Sequence, residues 1–76
     1  MMKLIGIIGA MEQEVALLKQ QLQAVETTKI SQFEFHRGQL NGCDVVLVQS
    51  GIGKVTAAIA TTLLIQLYKP SCVINT

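Results

Sequence analysis

Charged residues are scarce in this 76-residue chain, since Asp, Glu, Lys and Arg together make up only 14% of it. Soluble domains usually carry about a quarter charged residues. The formal net charge is +1, so the sequence lacks the electrostatic footprint of a nucleic-acid or anionic-membrane binder, and we expect neither partner. Half of the residues are nevertheless hydrophobic, which excludes an intrinsically disordered chain.

Long apolar runs are also missing. No uninterrupted hydrophobic stretch approaches the roughly 18 residues that a membrane-spanning helix needs. The apolar start is followed at once by Glu12 and Glu14, without a clean cleavage site, so we predict no export signal and a cytoplasmic protein.

Cysteine is limited to Cys43 and Cys72, which lie far apart, and His36 is the single histidine. No CxxC pair or His cluster is present, so we expect no metal site. Both cysteines fall in apolar, strand-like stretches, which predicts buried free thiols.

The mean hydropathy of +0.46 is high for so short a chain. A domain of this size buries only roughly 60% of the surface that its unfolded chain exposes. The chain therefore has more apolar surface than it can hide, and we expect it to belong to a larger domain or an oligomer.

Three short apolar stretches, Leu4–Ile8, Asp44–Gln49 and residues 71–75, predict strands buried on both faces. Residues 27–40 alternate weakly, and Asn41-Gly42 is a strong hairpin signal that turns this segment back into Asp44–Gln49.

Alternation along residues 27–40 places Phe33 and Phe35 on one face and Glu34 and His36 on the other. We therefore expect His36 to face solvent.

Helical spacing begins at Met11, with Val15, Leu18 and Leu22 on one face and Leu17 widening it. A second helix is predicted over residues 54–68 and is stopped by Lys69-Pro70. It is apolar around most of its circumference, which is typical of a helix packed between layers or against another subunit.

The predicted order is β-α-β-β-β-α-β, with one hairpin between the helices. This order indicates an α/β fold with helices on a mixed, mostly parallel sheet. We find no boundary inside residues 1–76, which form one segment of a single domain. Because the chain ends in an apolar strand without a polar tail, we expect the domain to continue.

Ligands of open α/β sheets bind at the carboxyl ends of the strands. Residues 9–11, 50–53 and 75–76 follow the three apolar strands and share one edge if these strands are parallel. Gly53-Lys54 does not complete a phosphate-binding P-loop, because Val48 and Val55 replace the required glycine and hydroxyl residue. The glycines favour a strand-to-helix turn.

Glu12 and Glu14 allow two interpretations. Acidic side chains in the first turn of a helix complement the helix dipole. Alternatively, Glu14 leans back toward the strand end, where burial would raise its pKa and suit it to act as a base.

Four sequence motifs together carry a family resemblance. These are residues 4–15 (LIGIIGAMEQEV), 38–42 (GQLNG), 50–55 (SGIGKV) and the terminal VINT. With Ala-Ala at 57–58, they closely resemble bacterial 5′-methylthioadenosine/S-adenosylhomocysteine nucleosidases of the nucleoside phosphorylase superfamily, over all 76 residues.

The resemblance implies a three-layer α/β/α sandwich, a cytoplasmic homodimer and a role in methionine salvage, with no metal or organic cofactor. It implies hydrolysis of an adenosine thioether to adenine and a thioribose, with Glu14 activating water. Met11 and Ile52 would line the ribose and alkylthio region. A carboxylate here repels phosphate, which favours a hydrolase over a phosphorylase.

The resemblance covers the first third of such an enzyme. A Gly-Ser-Ala-Gly-Gly loop is expected directly after Thr76, and the purine-protonating acid and ribose-binding residues are expected further on. Two alternatives stay open: an inactive fragment that serves as a structural or interface module, and another nucleoside hydrolase or phosphorylase of the superfamily.

Overall fold

A computed structural model describes residues 3–51 and 53–76 of the chain. It contains five strands and two helices in the predicted β-α-β-β-β-α-β order. Their bounds are β1 Leu4–Gly9, α1 Glu12–Gln21, β2 Gln23–Ile30, β3 Phe33–Leu40, β4 Cys43–Gln49, α2 Lys54–Tyr68 and β5 Cys72–Asn75.

The strands form one mixed sheet in the order β2-β3-β4-β1-β5. β1 pairs in parallel with both β4 and β5, whereas β2, β3 and β4 are joined antiparallel. The weakly alternating segment therefore consists of two strands, and a second hairpin at Ser31-Gln32 lies between the helices where we predicted one. At the predicted hairpin, Asn41 and Gly42 both have positive φ, as a two-residue turn of this kind requires.

The two helices lie on opposite faces of the sheet, which confirms the three-layer arrangement. On one face, Val15 of α1 and Leu22 pack against Ile7, Val45 and Leu47. On the other face, α2 supplies the buried residues Ala60 and Leu64. They join a cluster of sheet residues comprising Ile8, Phe33, Phe35, Val46 and Val48.

α2 has the predicted bounds, but its burial is one-sided. Ala60 and Leu64 are buried, whereas Val55 keeps 74% and Ile59 47% of its surface exposed. Each helix is covered only where it touches the sheet, so the apolar remainder of α2 faces outward. None of the helices described is long and apolar enough to cross a membrane.

Several expectations about burial were wrong. Leu17 is 62% exposed, because it lies away from the α1 face that meets the sheet. Cys43 and Cys72 are exposed rather than buried, since each begins its strand and Cys43 directly follows the hairpin turn. β5 is exposed along its whole length, because it forms an edge of the sheet.

Candidate functional site

The carboxyl ends of the three parallel strands meet at one edge of the sheet, as predicted. The Ser50 backbone N–H donates to the Gly9 carbonyl oxygen over 2.9 Å, and the Thr76 N–H donates to that of Ile8 over 2.9 Å. The Thr76 hydroxyl also donates to the Ile8 carbonyl at 3.3 Å. These bonds fix the starts of the loops that follow β4 and β5 against the end of β1.

The turn into α2 uses glycine at two positions where the backbone has positive φ. Gly51 has φ 75° and Gly53, the N-cap residue of α2, has φ 141°. Such conformations are accessible to glycine at little cost, which supports the prediction of a strand-to-helix turn. Ile52, expected to line the alkylthio region, lies outside the described residues.

The loop between β1 and α1 places the two other predicted site residues at this edge. Met11 is the N-cap residue of α1 and is half exposed, and Glu14 lies in the first turn of the helix. Glu14 is exposed, so the predicted burial of its carboxylate is not found within this chain.

Close packing between Gly9 and Val15 fixes the position of that first turn. A Cβ atom added to Gly9 would lie 2.7 Å from Val15 Cγ2, a distance that would force the two elements apart. Val15 is 5% exposed and follows Glu14 directly, so its contact with the strand end fixes the helical turn that carries Glu14 beside the edge.

A cavity of about 550 Å³ lies alongside the end of β4. The motif residues Ser50 and Gly51 border it at one end, together with Val15 of α1. Its other walls come from β2, β3 and the turn between them, and from the first turn of α2. The further lining residues are Lys29, Gln32, Phe33, Glu34, His36, Gln49 and Thr56.

His36 is the residue that the sequence placed most wrongly, because it is buried with 4% exposure instead of facing solvent. It pairs with Thr27 on one side and Leu47 on the other, on the face covered by α1. The register of the Asn41-Gly42 hairpin could have revealed this, since it sets His36 opposite a residue predicted to be buried.

The imidazole of His36 hydrogen-bonds through Nδ1 to the Thr27 hydroxyl at 2.9 Å, and the imidazole tautomer decides which of them donates. Burial lowers the pKa of His36 below 6.5, with a further decrease from the charge of Lys19 and an opposing contribution from Glu34. His36 is therefore a neutral polar group in the cavity wall at pH 7.

No cluster of three or more potential metal-binding side chains is found among residues 3–51 and 53–76. The edge brings together the starts of the loops after β4 and β5 and the helical turn that carries Glu14. A cavity with polar and charged walls lies alongside the end of β4. Such an arrangement suits the binding of a small molecule that reacts with water near the carboxylate of Glu14.

The chain is similar in sequence to known proteins. The sequence profile of the phosphorylase superfamily matches residues 4–76. A 5′-methylthioadenosine/S-adenosylhomocysteine nucleosidase from Tolumonas auensis is 61% identical over 72 residues, which are 95% of this chain and 31% of that protein.

Two solved structures are similar to this chain in fold as well as in sequence. A nucleosidase of the same name from Colwellia psychrerythraea, in complex with adenine, superposes with a TM-score of 0.94 at 52% identity and covers 99% of this chain and 31% of its own. The nucleosidase from Neisseria meningitidis, in complex with methylthio-immucillin-A, has a TM-score of 0.93 at 44% identity. The match covers 99% of this chain and 32% of the Neisseria chain. The chain thus spans about a third of the length of these relatives.

Proposed function

The chain belongs to the phosphorylase superfamily, and from this premise we propose that it supplies the N-terminal third of an adenosine-thioether nucleosidase. The enzyme would hydrolyse the N-glycosidic bond of 5′-methylthioadenosine and S-adenosylhomocysteine, releasing adenine and a thioribose. The observation that carries the proposal is the position of Glu14, in the first turn of α1 at the edge where three loops converge.

In the proposed reaction the Glu14 carboxylate accepts a proton from water, which attacks the anomeric carbon as adenine departs. The sugar then has oxocarbenium character, and a neighbouring carboxylate stabilises its positive charge. The acid that protonates adenine and the residues that hold the ribose would come from the part of the protein that follows. Met11 and Ile52 would pack against the ribose and the alkylthio group.

A carboxylate at this position favours water over phosphate as nucleophile. Phosphate is an anion at neutral pH, and a second negative charge nearby would oppose its binding. We therefore propose a hydrolase rather than a phosphorylase, one that works in the cytoplasm, in methionine salvage, and needs no metal or organic cofactor.

We also propose that the enzyme is a homodimer, with the outward face of α2 contributing to the subunit contact. Val55 and Ile59 lie one turn apart on that face and are largely exposed. Contiguous exposed apolar side chains are typical of interaction surfaces.

A chimera allows the function to be tested on a complete polypeptide. Residues 1–76 replace the matching segment of the Tolumonas auensis relative, and adenine release is measured with both thioether nucleosides, with and without phosphate. We expect phosphate-independent release that Glu14→Gln lowers by at least about a thousandfold, as for loss of a catalytic base acting with other groups. Glu12→Gln, in the same turn, is the matched control and should keep most of the activity.

Near-normal turnover by the Glu14→Gln chimera would overturn the assignment of the base. Release that requires phosphate would favour the phosphorylase alternative. No release from either nucleoside, with the chimera folded, would favour the inactive interface module. Full activity in the presence of a metal chelator is expected.

A further inference from the structure

The cavity beside β4 contains charged groups that the proposed hydrolysis does not use. Lys29 and Glu34 are cross-strand partners in the β2–β3 ladder, and both line the cavity. Side chains of directly opposed residues lie on one face with their Cβ atoms roughly 5 Å apart. The cavity wall therefore presents one ammonium and one carboxylate side by side.

The same wall carries groups that remain uncharged at neutral pH. Gln32 and Gln49 contribute amides, Ser50 contributes a buried hydroxyl, and His36 is held in place by Thr27. Amides and hydroxyls can donate and accept hydrogen bonds. A ligand part in this cavity would thus meet both signs of charge and several neutral polar partners.

The two thioether nucleosides differ only in the group carried by the sulfur. 5′-Methylthioadenosine ends in a methyl group, which forms no ion pair or hydrogen bond with charged side chains. S-Adenosylhomocysteine ends in an amino-acid tail with an ammonium and a carboxylate on one carbon, both ionised at neutral pH. A neighbouring pair of opposite charges is complementary to such a zwitterion.

The cavity begins at the residues that directly precede Ile52, which the proposed function sets against the alkylthio group of the substrate. Ser50 and Gly51 form its border and belong to the loop that begins at the catalytic edge, and Val15 lies next to Glu14. From there the cavity extends along the sheet to the β2–β3 turn. Its volume of about 550 Å³ lies in the range of small-molecule sites, roughly 300–1,000 Å³.

We propose that Lys29 and Glu34 form a subsite for the amino-acid tail of S-adenosylhomocysteine, with the Lys29 ammonium facing the tail carboxylate and Glu34 facing its ammonium. The pair determines specificity and takes no part in bond cleavage. This inference rests on the proposed function, because it concerns the same substrate site.

The test compares kcat/KM in the chimera for three substrates: S-adenosylhomocysteine, 5′-methylthioadenosine and 5′-butylthioadenosine, whose tail is uncharged. We expect Lys29→Met and Glu34→Gln each to lower kcat/KM for S-adenosylhomocysteine about fivefold, the effect of losing one solvent-screened charge contact. Values for the two uncharged thioethers should stay within about twofold, within the scatter of surface substitutions. Both residues are exposed, and retained turnover of methylthioadenosine shows that the variant is folded.

The same hairpin offers a matched control. Glu26 and Arg37 are another oppositely charged cross-strand pair of β2 and β3, and they line a separate cavity of about 320 Å³. Glu26→Gln and Arg37→Met should leave all three substrates unaffected.

Three results would overturn the tail subsite. The first is an equal loss on all three substrates, the second is no loss on any of them, and the third is an equal response in the control pair. In each case the proposed nucleosidase function survives. If the unsubstituted chimera releases adenine from no substrate, both proposals fail.

Discussion

The Thr27 hydroxyl and Nδ1 of His36 lie 2.9 Å apart across the β2–β3 ladder, and this bond accompanies the burial of the single histidine of the chain. The contact gives a buried imidazole a polar partner, which offsets part of the cost of removing it from water. Because His36 is buried in the folded chain, its protonation is linked to the stability of the fold.

The stability of the chimera should therefore depend on pH through His36. Burial lowers its native pKa below 6.5, so as pH falls through 6.5 the unfolded chain takes up a proton before the native state does. Stability is then highest above 6.5 and decreases as pH falls toward the native pKa. We expect the urea midpoint to drop more between pH 7.5 and 5.5 in the chimera than in its His36→Gln variant.

The difference between the two proteins isolates His36 from the histidines of the Tolumonas auensis segment. Equal decreases would contradict a lowered native pKa for His36.

Gly9→Ala should strain the contact between β1 and α1. The new methyl group would lie 2.7 Å from Val15 Cγ2. Valine is restricted in its χ1 rotation, so a change of side-chain rotamer alone does not relieve the clash. Overpacking of this kind costs about 1–3 kcal/mol, measured as the free energy of unfolding in urea.

The double variant Gly9→Ala with Val15→Ala separates the clash from other effects. If the clash is the cause, the double variant loses less stability than the sum of the two single changes. If the changes in the free energy of unfolding are strictly additive, Gly9 is needed for a reason other than its contact with Val15. Because Val15 adjoins Glu14, Gly9→Ala should also lower kcat.

Leu64→Ala should be among the most destabilising truncations in this segment. Leu64 is fully buried at the centre of the α2 face of the sheet, so the substitution leaves a cavity that costs about 2–5 kcal/mol. Leu17→Ala is the control, since Leu17 is 62% exposed and should cost much less. A reversal of this order in urea titrations would contradict the packing of α2 described here.

Charged substitutions test whether the outward face of α2 lies in the dimer interface. If it lies in the proposed dimer interface, Val55→Asp and Ile59→Asp place carboxylates where apolar side chains meet, and sedimentation should show monomers at concentrations that keep the chimera dimeric. Val55→Thr and Ile59→Thr are the controls, since threonine has a helix propensity close to that of aspartate but brings no charge. Dimers that persist in both apolar variants would exclude this face.

Local patterns were sufficient for the order of the elements. The apolar stretch of β4, the Asn41-Gly42 turn and the bounds of α2 follow from residue type and spacing, because they depend on contacts between near neighbours in the chain. The same patterns predicted converging loops at the carboxyl ends of β1, β4 and β5, and the family resemblance singled out Glu14 among the first-turn carboxylates.

Burial was predicted less well. His36, Cys43 and Leu17 were each assigned to the wrong environment, because alternation and helical spacing tell which residues share a face but not what covers that face. The second hairpin at Ser31-Gln32 was missed since it lacks the Asn-Gly signal that marked the first.

The sequence by itself determined a mixed α/β fold, the positions of its glycine turns and the placement of a carboxylate at the start of α1. Only the tertiary structure decided that His36 is buried beside Thr27, that Lys29 and Glu34 share a cavity wall, and that Val15, the chain neighbour of Glu14, borders this cavity. The reason is physical: strand register and helix packing bring together groups that are distant in the chain, and burial depends on those long-range contacts.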